Sequence, residues 1–209
     1  MDLPAAHGAR ARVVVLVSGT GSNMVALADA AARGQVAADV VAVVSDVADA
    51  PALARATERG IPAIAVPFDR TDRGAWEARL ADAVAAQDAD LVVLAGFMRI
   101  LSGAFLARWP DRVVNVHPSL LPAFRGADAV GDALAAGVDV TGVSVHLVDE
   151  LVDHGPILAQ EPVPVLPGDT RETLLARLHE VEHRLLPRCV DELARDLGHP
   201  ISTHERSTP

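Results

Sequence analysis

The sequence predicts an α/β fold: a single domain on a mostly parallel twisted sheet flanked by helices, with an antiparallel edge in its C-terminal half. Three observations carry this. The first half of the chain repeats a short β-branched run, a turn and an Ala-rich segment of helical period. Those runs are continuously apolar rather than alternating, as strands covered on both faces are. From Asn115 onward the texture changes, because Pro118, Pro122, Gly126, Gly131 and Gly137 interrupt any long element, and two β-like segments joined by an acidic loop follow.

In chain order, the strands expected in the first half are Arg12–Val17, Asp39–Val44, Ile61–Val66, Asp90–Ala95 and Arg112–Val116. Between the first two, Met24, Leu27, Ala28 and Ala31 recur at helical spacing, and Gly34 sits where a glycine ends a helix. Trp76, Leu80, Ala83 and Val84 form a second stripe, with Thr71 as its expected N-cap. A loop then leads to a short helix near Asp128–Ala136, and the later strands are expected at Thr141–Val148 and Ile157–Val165. Asp169 with Glu172 three residues on has the form of a capping box. It opens a helix striped by Leu174, Leu178, Val181, Leu185 and Leu186, which Pro187 is expected to kink or break.

With 209 residues, half of them apolar, the chain has the size of one domain of roughly 100–200 residues and enough apolar matter for a core. The expected layout is a flexible segment 1–11, a folded domain 12–197 and a flexible tail 198–209. Eighteen basic against twenty-eight acidic residues give a net charge of −10, with no basic cluster, so nucleic acid and anionic membranes are not the expected partners. All the basic residues are Arg, and neither Lys nor Tyr occurs, which excludes Schiff-base or P-loop lysines and tyrosine acid–base chemistry. Cys189 stands alone, no secretory pattern opens the chain, and no apolar run approaches the roughly 20 residues of a membrane span. A cytoplasmic protein with small-molecule substrates is expected, as a monomer or weak homodimer.

Four segments have residues suited to chemistry. Ser18–Gly19–Thr20–Gly21–Ser22–Asn23 joins a buried strand to a helix start, where free N–H groups and close backbone approach favour a phosphate. It lacks the third glycine of a dinucleotide loop and the lysine of a P-loop, so a turn needed only for packing is the alternative. Asn115 and His117, two apart where a strand meets the carboxyl edge of the sheet, point the same way. An amide donor and an imidazole suit acyl chemistry, or else cap a strand end. Asp153, in the loop Asp149–Pro156, could orient that imidazole or simply be solvated. His179–Glu180–Val181–Glu182–His183 satisfies H-E-x-x-H on a predicted helix, yet no third ligand completes it, so a polar or substrate-facing helix surface competes with zinc.

Together these segments resemble the folate-dependent formyltransferases that act on glycinamide ribonucleotide. The resemblance runs from Arg12 to about Val190, on Val15–Asn23, Leu94–Leu101, Asn115–Pro122, and Gly142–His146 leading to Asp153. It implies a Rossmann-like fold and transfer of the formyl group of 10-formyltetrahydrofolate, as cosubstrate, to an amine of the ribonucleotide, with no metal. It also implies Asn115, His117 and Asp153 as the catalytic residues: Asn115 and protonated His117 on the oxyanion, with Asp153 holding His117. Gly21, Ser22 and Asn23 match the phosphate loop. The helix segment His179, Glu180, Val181 and Glu182 matches the ribose site, Glu182 being the expected partner and giving the H-E-x-x-H string a nonmetal explanation. For the donor, the resemblance implies Met98, Arg99, Ile100 and Leu101, with Asn115, a closing loop of Asp149, Glu150, Leu151, Val152 and Asp153, and Arg73.

The chain departs from that pattern in places. Phe124–Arg125–Gly126–Ala127–Asp128 stands where the relatives have Pro-Gly and then a His, Gly131 replaces a common Arg, and His154 replaces a small residue. Arg125–Gly126 is closer to formyltransferases acting on methionyl-tRNA. The rival readings are therefore another formyltransferase, a hydrolase releasing formate, or a noncatalytic nucleotide-binding module, with a zinc hydrolase more distant.

Overall fold

The computed structural model describes residues 10–197. The tail expected at 198–209 and most of the segment expected at 1–11 lie outside the described residues. The strands are β1 (Ala11–Val17), β2 (Ala38–Ser45), β3 (Ala63–Ala65), β4 (Leu91–Leu94), β5 (Val113–His117), β6 (Val140–Leu147) and β7 (Ile157–Pro164). They form one sheet in the order β3-β2-β1-β4-β5-β6-β7. The pairs β1–β2, β1–β4, β2–β3 and β4–β5 are parallel, while β5–β6 and β6–β7 are antiparallel. The expected mixed sheet is present, with its strands placed within two residues of their expected positions at each end. β7 is an edge strand, where Pro162 and Pro164 cost no central ladder bond and discourage further pairing.

The helices are α1 (Ser22–Ala32), α2 (Pro51–Thr57), α3 (Arg73–Ala85), α4 (Gly103–Leu106), α5 (Ala129–Ala136) and α6 (Arg171–Asp196). Side-chain alternation along β1 divides the core between two faces of the sheet. Val13, Val15 and Val17 pack with α1 and with Leu174, Leu178, Leu185 and Leu186 of α6. Val14 and Leu16 pack with Trp76, Leu80 and Val84 of α3, and with Phe105 and Trp109. Continuous apolar strands were needed because both faces are covered. Trp76, fully buried, gives its indole N–H to the Val66 carbonyl at 2.9 Å and meets the edge of Phe68 at 4.8 Å.

Three local expectations are corrected. α3 is capped by Asp72, which accepts from the Ala75 N–H at 2.8 Å, because the Thr71 hydroxyl is already given to Asp69. α6 is capped by Thr170 reciprocally with Thr173, while Asp169 is engaged by Arg177 and the Leu166 N–H. Pro187 does not end α6, which runs unbroken for 26 residues. Proline deletes one backbone donor there, but the helix buries a stripe from Leu174 to Leu193 and that packing outweighs the loss. Gly34 does follow the end of α1 with φ 71°, as its position in the stripe predicted.

Candidate active site

From β1 the chain travels outward through β2 to β3, then returns to β4 on the other side of β1 and continues to β5. Where connections diverge in this way, a crevice opens beyond the carboxyl ends of the strands. Here it is a cavity of about 700 Å³, lined from the β1–α1 loop, the segment after β4, the end of β5, the β6–β7 loop and one face of α6.

Asn115 and His117 enter it from the last turns of β5. The loop after β6 brings Asp153 back over them, with Asp153 itself in the left-handed region at φ 48°. Its Oδ1 accepts from Asn115 Nδ2 at 3.3 Å, and its Oδ2 lies 3.5 Å from His117 Nδ1 and accepts the Gly126 N–H at 2.8 Å. Burial opposes the charge on Asp153, but the His146 ring 3.7 Å away, the Gly126 N–H and the nearby His117 together outweigh it. The carboxyl is held below its ordinary range. The other nitrogen of His117, Nε2, donates to the Phe124 carbonyl at 2.8 Å. The trio expected from separate segments is thus brought together in space.

His146 is a fourth member, for which the motif Gly142–His146 implies no role of its own. It is the cross-strand partner of Asn115 in the β5–β6 register, and its Nε2 lies 3.1 Å from Asn115 Nδ2. Its Nδ1 faces the Leu147 carbonyl at 2.8 Å, which can only accept, so in the neutral ring Nε2 is left as an acceptor for the amide. The signal in the sequence was a histidine within a predicted strand, but its partner depended on an antiparallel register that spacing does not give.

At the other end of the cavity, Gly21 precedes α1 with φ 75°, and a Cβ there would stand 2.6 Å from the Ala52 side chain. Ser22 and Asn23 face the cavity from the first turn of α1. Asn23 Nδ2 donates to Glu182 Oε2 at 2.8 Å, and His179 Nε2 lies 3.8 Å from the same oxygen. Burial raises the Glu182 carboxyl above its ordinary range, only partly offset by Asn23 and His179. His179 and Glu182 line the cavity, whereas Val181 points into the core and Glu180 is exposed outside the lining. Those two expected ribose contacts are not brought to the site by their side chains, as their phase on the helix dictates. His179 and His183 stack at 5.8 Å, and among the described residues no group of three His, Cys, Asp or Glu is arranged to hold a metal.

Between the two ends, Met98, Arg99, Ile100 and Leu101 line one wall, and Asp149, Leu151, Val152 and Asp153 the facing one. Arg73 lies outside the lining and donates to the Ile100 carbonyl at 2.6 Å, so it braces the wall from behind. Glu150 is exposed and also outside the lining. His154 pairs with Asp149 at 2.7 Å. Asp128 caps α5 through the Gly131 N–H and pairs with Arg171. A Cβ on residue 131 would stand 2.5 Å from that carboxylate, so the two departures at 128 and 131 fit each other.

A formyl transferase family model matches residues 11–190, which includes every element of this cavity. The chain belongs to the formyl transferase family. Within that family it is 52% identical over 187 residues to a phosphoribosylglycinamide formyltransferase of Mycobacterium tuberculosis, covering 89% of this chain and 86% of the relative. Its fold is similar to glycinamide ribonucleotide transformylase 1 from Symbiobacterium toebii, with a TM-score of 0.86, 43% identity, and 90% and 89% of the two chains covered. A phosphoribosylglycinamide formyltransferase from Brucella melitensis gives 0.82 at 47% identity, covering 88% of this chain and 96% of that one. A formyl transferase must accommodate a carbonyl carbon, an incoming nucleophile and a developing oxyanion in one place, and donors and a carboxylate of the kind that chemistry uses are what Asn115, His117 and Asp153 bring together.

Proposed function

We infer that this enzyme transfers the formyl group of 10-formyltetrahydrofolate to the amine of 5′-phosphoribosylglycinamide, giving the formylglycinamide ribonucleotide of purine biosynthesis and tetrahydrofolate. The observation that carries the reading is the convergence of Asn115, His117 and Asp153 midway between a helix-start loop and an apolar-walled slot. The ribonucleotide phosphate sits at the N–H groups of Gly21, Ser22 and Asn23, and Glu182 takes the ribose hydroxyls. The folate ring lies along the main chain of Met98–Leu101, beneath Leu151 and Val152. In this reading the enzyme works in the cytoplasm on small molecules, as a monomer or weak homodimer; no described helix is long and apolar enough to cross a membrane.

The amine lone pair attacks the formyl carbon and the carbonyl electrons move to oxygen. In the proposed step His117 hands the Nε2–H now held by the Phe124 carbonyl to that oxygen, while Nδ1 stays on Asp153. Asn115 adds a second donor when one of its two amide hydrogens, held in this structure by Asp153 and His146, turns to that oxygen. Asp153, 3.5 Å from Nδ1, orients the ring for its action as an acid. As the intermediate collapses, the oxygen returns its proton to His117 and the carbonyl re-forms, the carbon–nitrogen bond to the folate breaks, and the folate nitrogen takes up the proton that the attacking amine gives up.

The test is an absorbance assay of tetrahydrofolate release from a 10-formyl folate, with and without the ribonucleotide. Release that requires the ribonucleotide is expected. Release without it identifies a hydrolase, and no release in either condition refutes the donor assignment.

A further inference from the structure

Resting on that donor assignment, we propose that Asp46 is a positioning residue for the formyl-donor wall at 96–101, although it does not reach the cavity. Asp46 follows β2, and its side chain is fully buried. Each carboxylate oxygen has its own partner. Oδ1 accepts from the Ser18 hydroxyl at 2.6 Å, and Oδ2 from Arg99 Nε at 2.6 Å. The Ser18 oxygen in turn accepts from the Met98 backbone N–H at 2.8 Å. One carboxylate therefore grips two successive residues of the donor wall, one directly and one through a hydroxyl. The carbonyl of Asp46 also accepts from the Phe68 N–H at 2.9 Å, and the Arg99 guanidinium lies 4.0 Å over the Phe68 ring.

Sheet order explains the convergence. β2, β1 and β4 lie side by side, so the segments leaving them, which bear Asp46, Ser18 and Met98–Arg99, meet at one edge. Bonds to a buried carboxylate are short and strong, and directional enough to fix a backbone. The wall needs such an anchor, because Met98 and Ile100 are 64% and 56% exposed and have little packing of their own. Where a main chain reads a ligand, displacement of that chain converts directly into lost affinity.

Donor affinity is measured by calorimetry with a 10-formyl folate alone, so the acceptor does not enter, together with KM and kcat for both substrates and a thermal midpoint. Asp46→Ala is expected to raise donor Kd and KM by on the order of 10- to 100-fold, with a far smaller change in acceptor KM. Ser18→Ala cuts only the tie to Met98, gives a smaller loss of the same kind, and serves if Asp46→Ala does not fold. Asp46→Asn retains one acceptor oxygen and recovers part of the affinity. Wild-type donor Kd in folded Asp46→Asn and Ser18→Ala overturns the proposal, and so does a lowered thermal midpoint with unchanged donor Kd. Failure of the unaltered chain to bind the donor removes the functional reading, and this inference with it.

Discussion

His117 spends both ring nitrogens on protein groups, one on Asp153 and one on the Phe124 backbone carbonyl, and both partners lie in loops rather than in a helix or strand. His117→Ala is therefore expected to lower kcat by about 10²–10⁴-fold while leaving the thermal midpoint close to wild type; a variant with normal turnover refutes the mechanism. Glu182 has a different signature. Its folded pKa is raised by burial, so the folded state holds its proton more tightly than the unfolded chain does. Stability is undiminished below the unfolded value and declines as pH rises from there through the folded one. Glu182→Gln, which keeps an acceptor for Asn23, is expected to raise the thermal midpoint at pH 8 more than at pH 4, while weakening the acceptor KM. Equal shifts at both pH values contradict the buried-carboxylate account. Asn115 and His117 were legible in the sequence because two residues apart on a strand share a direction. Asp153 was legible only as a loop carboxylate that could orient the imidazole or be solvated, since its place depends on a left-handed reversal, and Asp46 and His146 depend on which strands are neighbours.

Among the elements, the long helix α6 does two jobs with two faces: Leu174, Leu178, Leu185 and Leu186 close the core, while Arg171, Leu175, His179 and Glu182 line the cavity. Leu178→Ala is expected to cost about 2–5 kcal/mol in a denaturant titration, with ligand affinities retained in the folded fraction. The turn into α1 is set by Gly21, where an added methyl meets Ala52 and φ is positive. Gly21→Ala should lose about 1–2 kcal/mol and raise the acceptor KM; a selective rise in donor KM would place the phosphate elsewhere. Periodicity found α6 but not its continuity, because a local rule about Pro187 has no access to the packing that overrides it. It also missed which of Asp72 and Thr71 caps α3, a choice made by the neighbouring Asp69.

For the molecule as a whole, one sheet is shared by two core layers, so neither layer can melt while the other persists. A single calorimetric transition is expected, moving upward with either substrate by mass action. Two resolved transitions would mean that the layers are independent. The parallel architecture was readable at this scale because strands buried on both sides must be apolar throughout, and the antiparallel edge because two β-like segments follow one another across the short acidic loop Asp149–Pro156.

The position of β1 carries a consequence for how the chain is made. It is the earliest described strand, yet it lies inside the sheet, and it must wait for Leu91–Leu94 before its second edge is paired. Val13, Val15 and Val17 then wait for α6, the final described element to leave the ribosome. During synthesis the nascent polypeptide thus carries a valine surface that stays only partly covered until α6 arrives, which makes it a natural client for chaperones that shelter emerging chains.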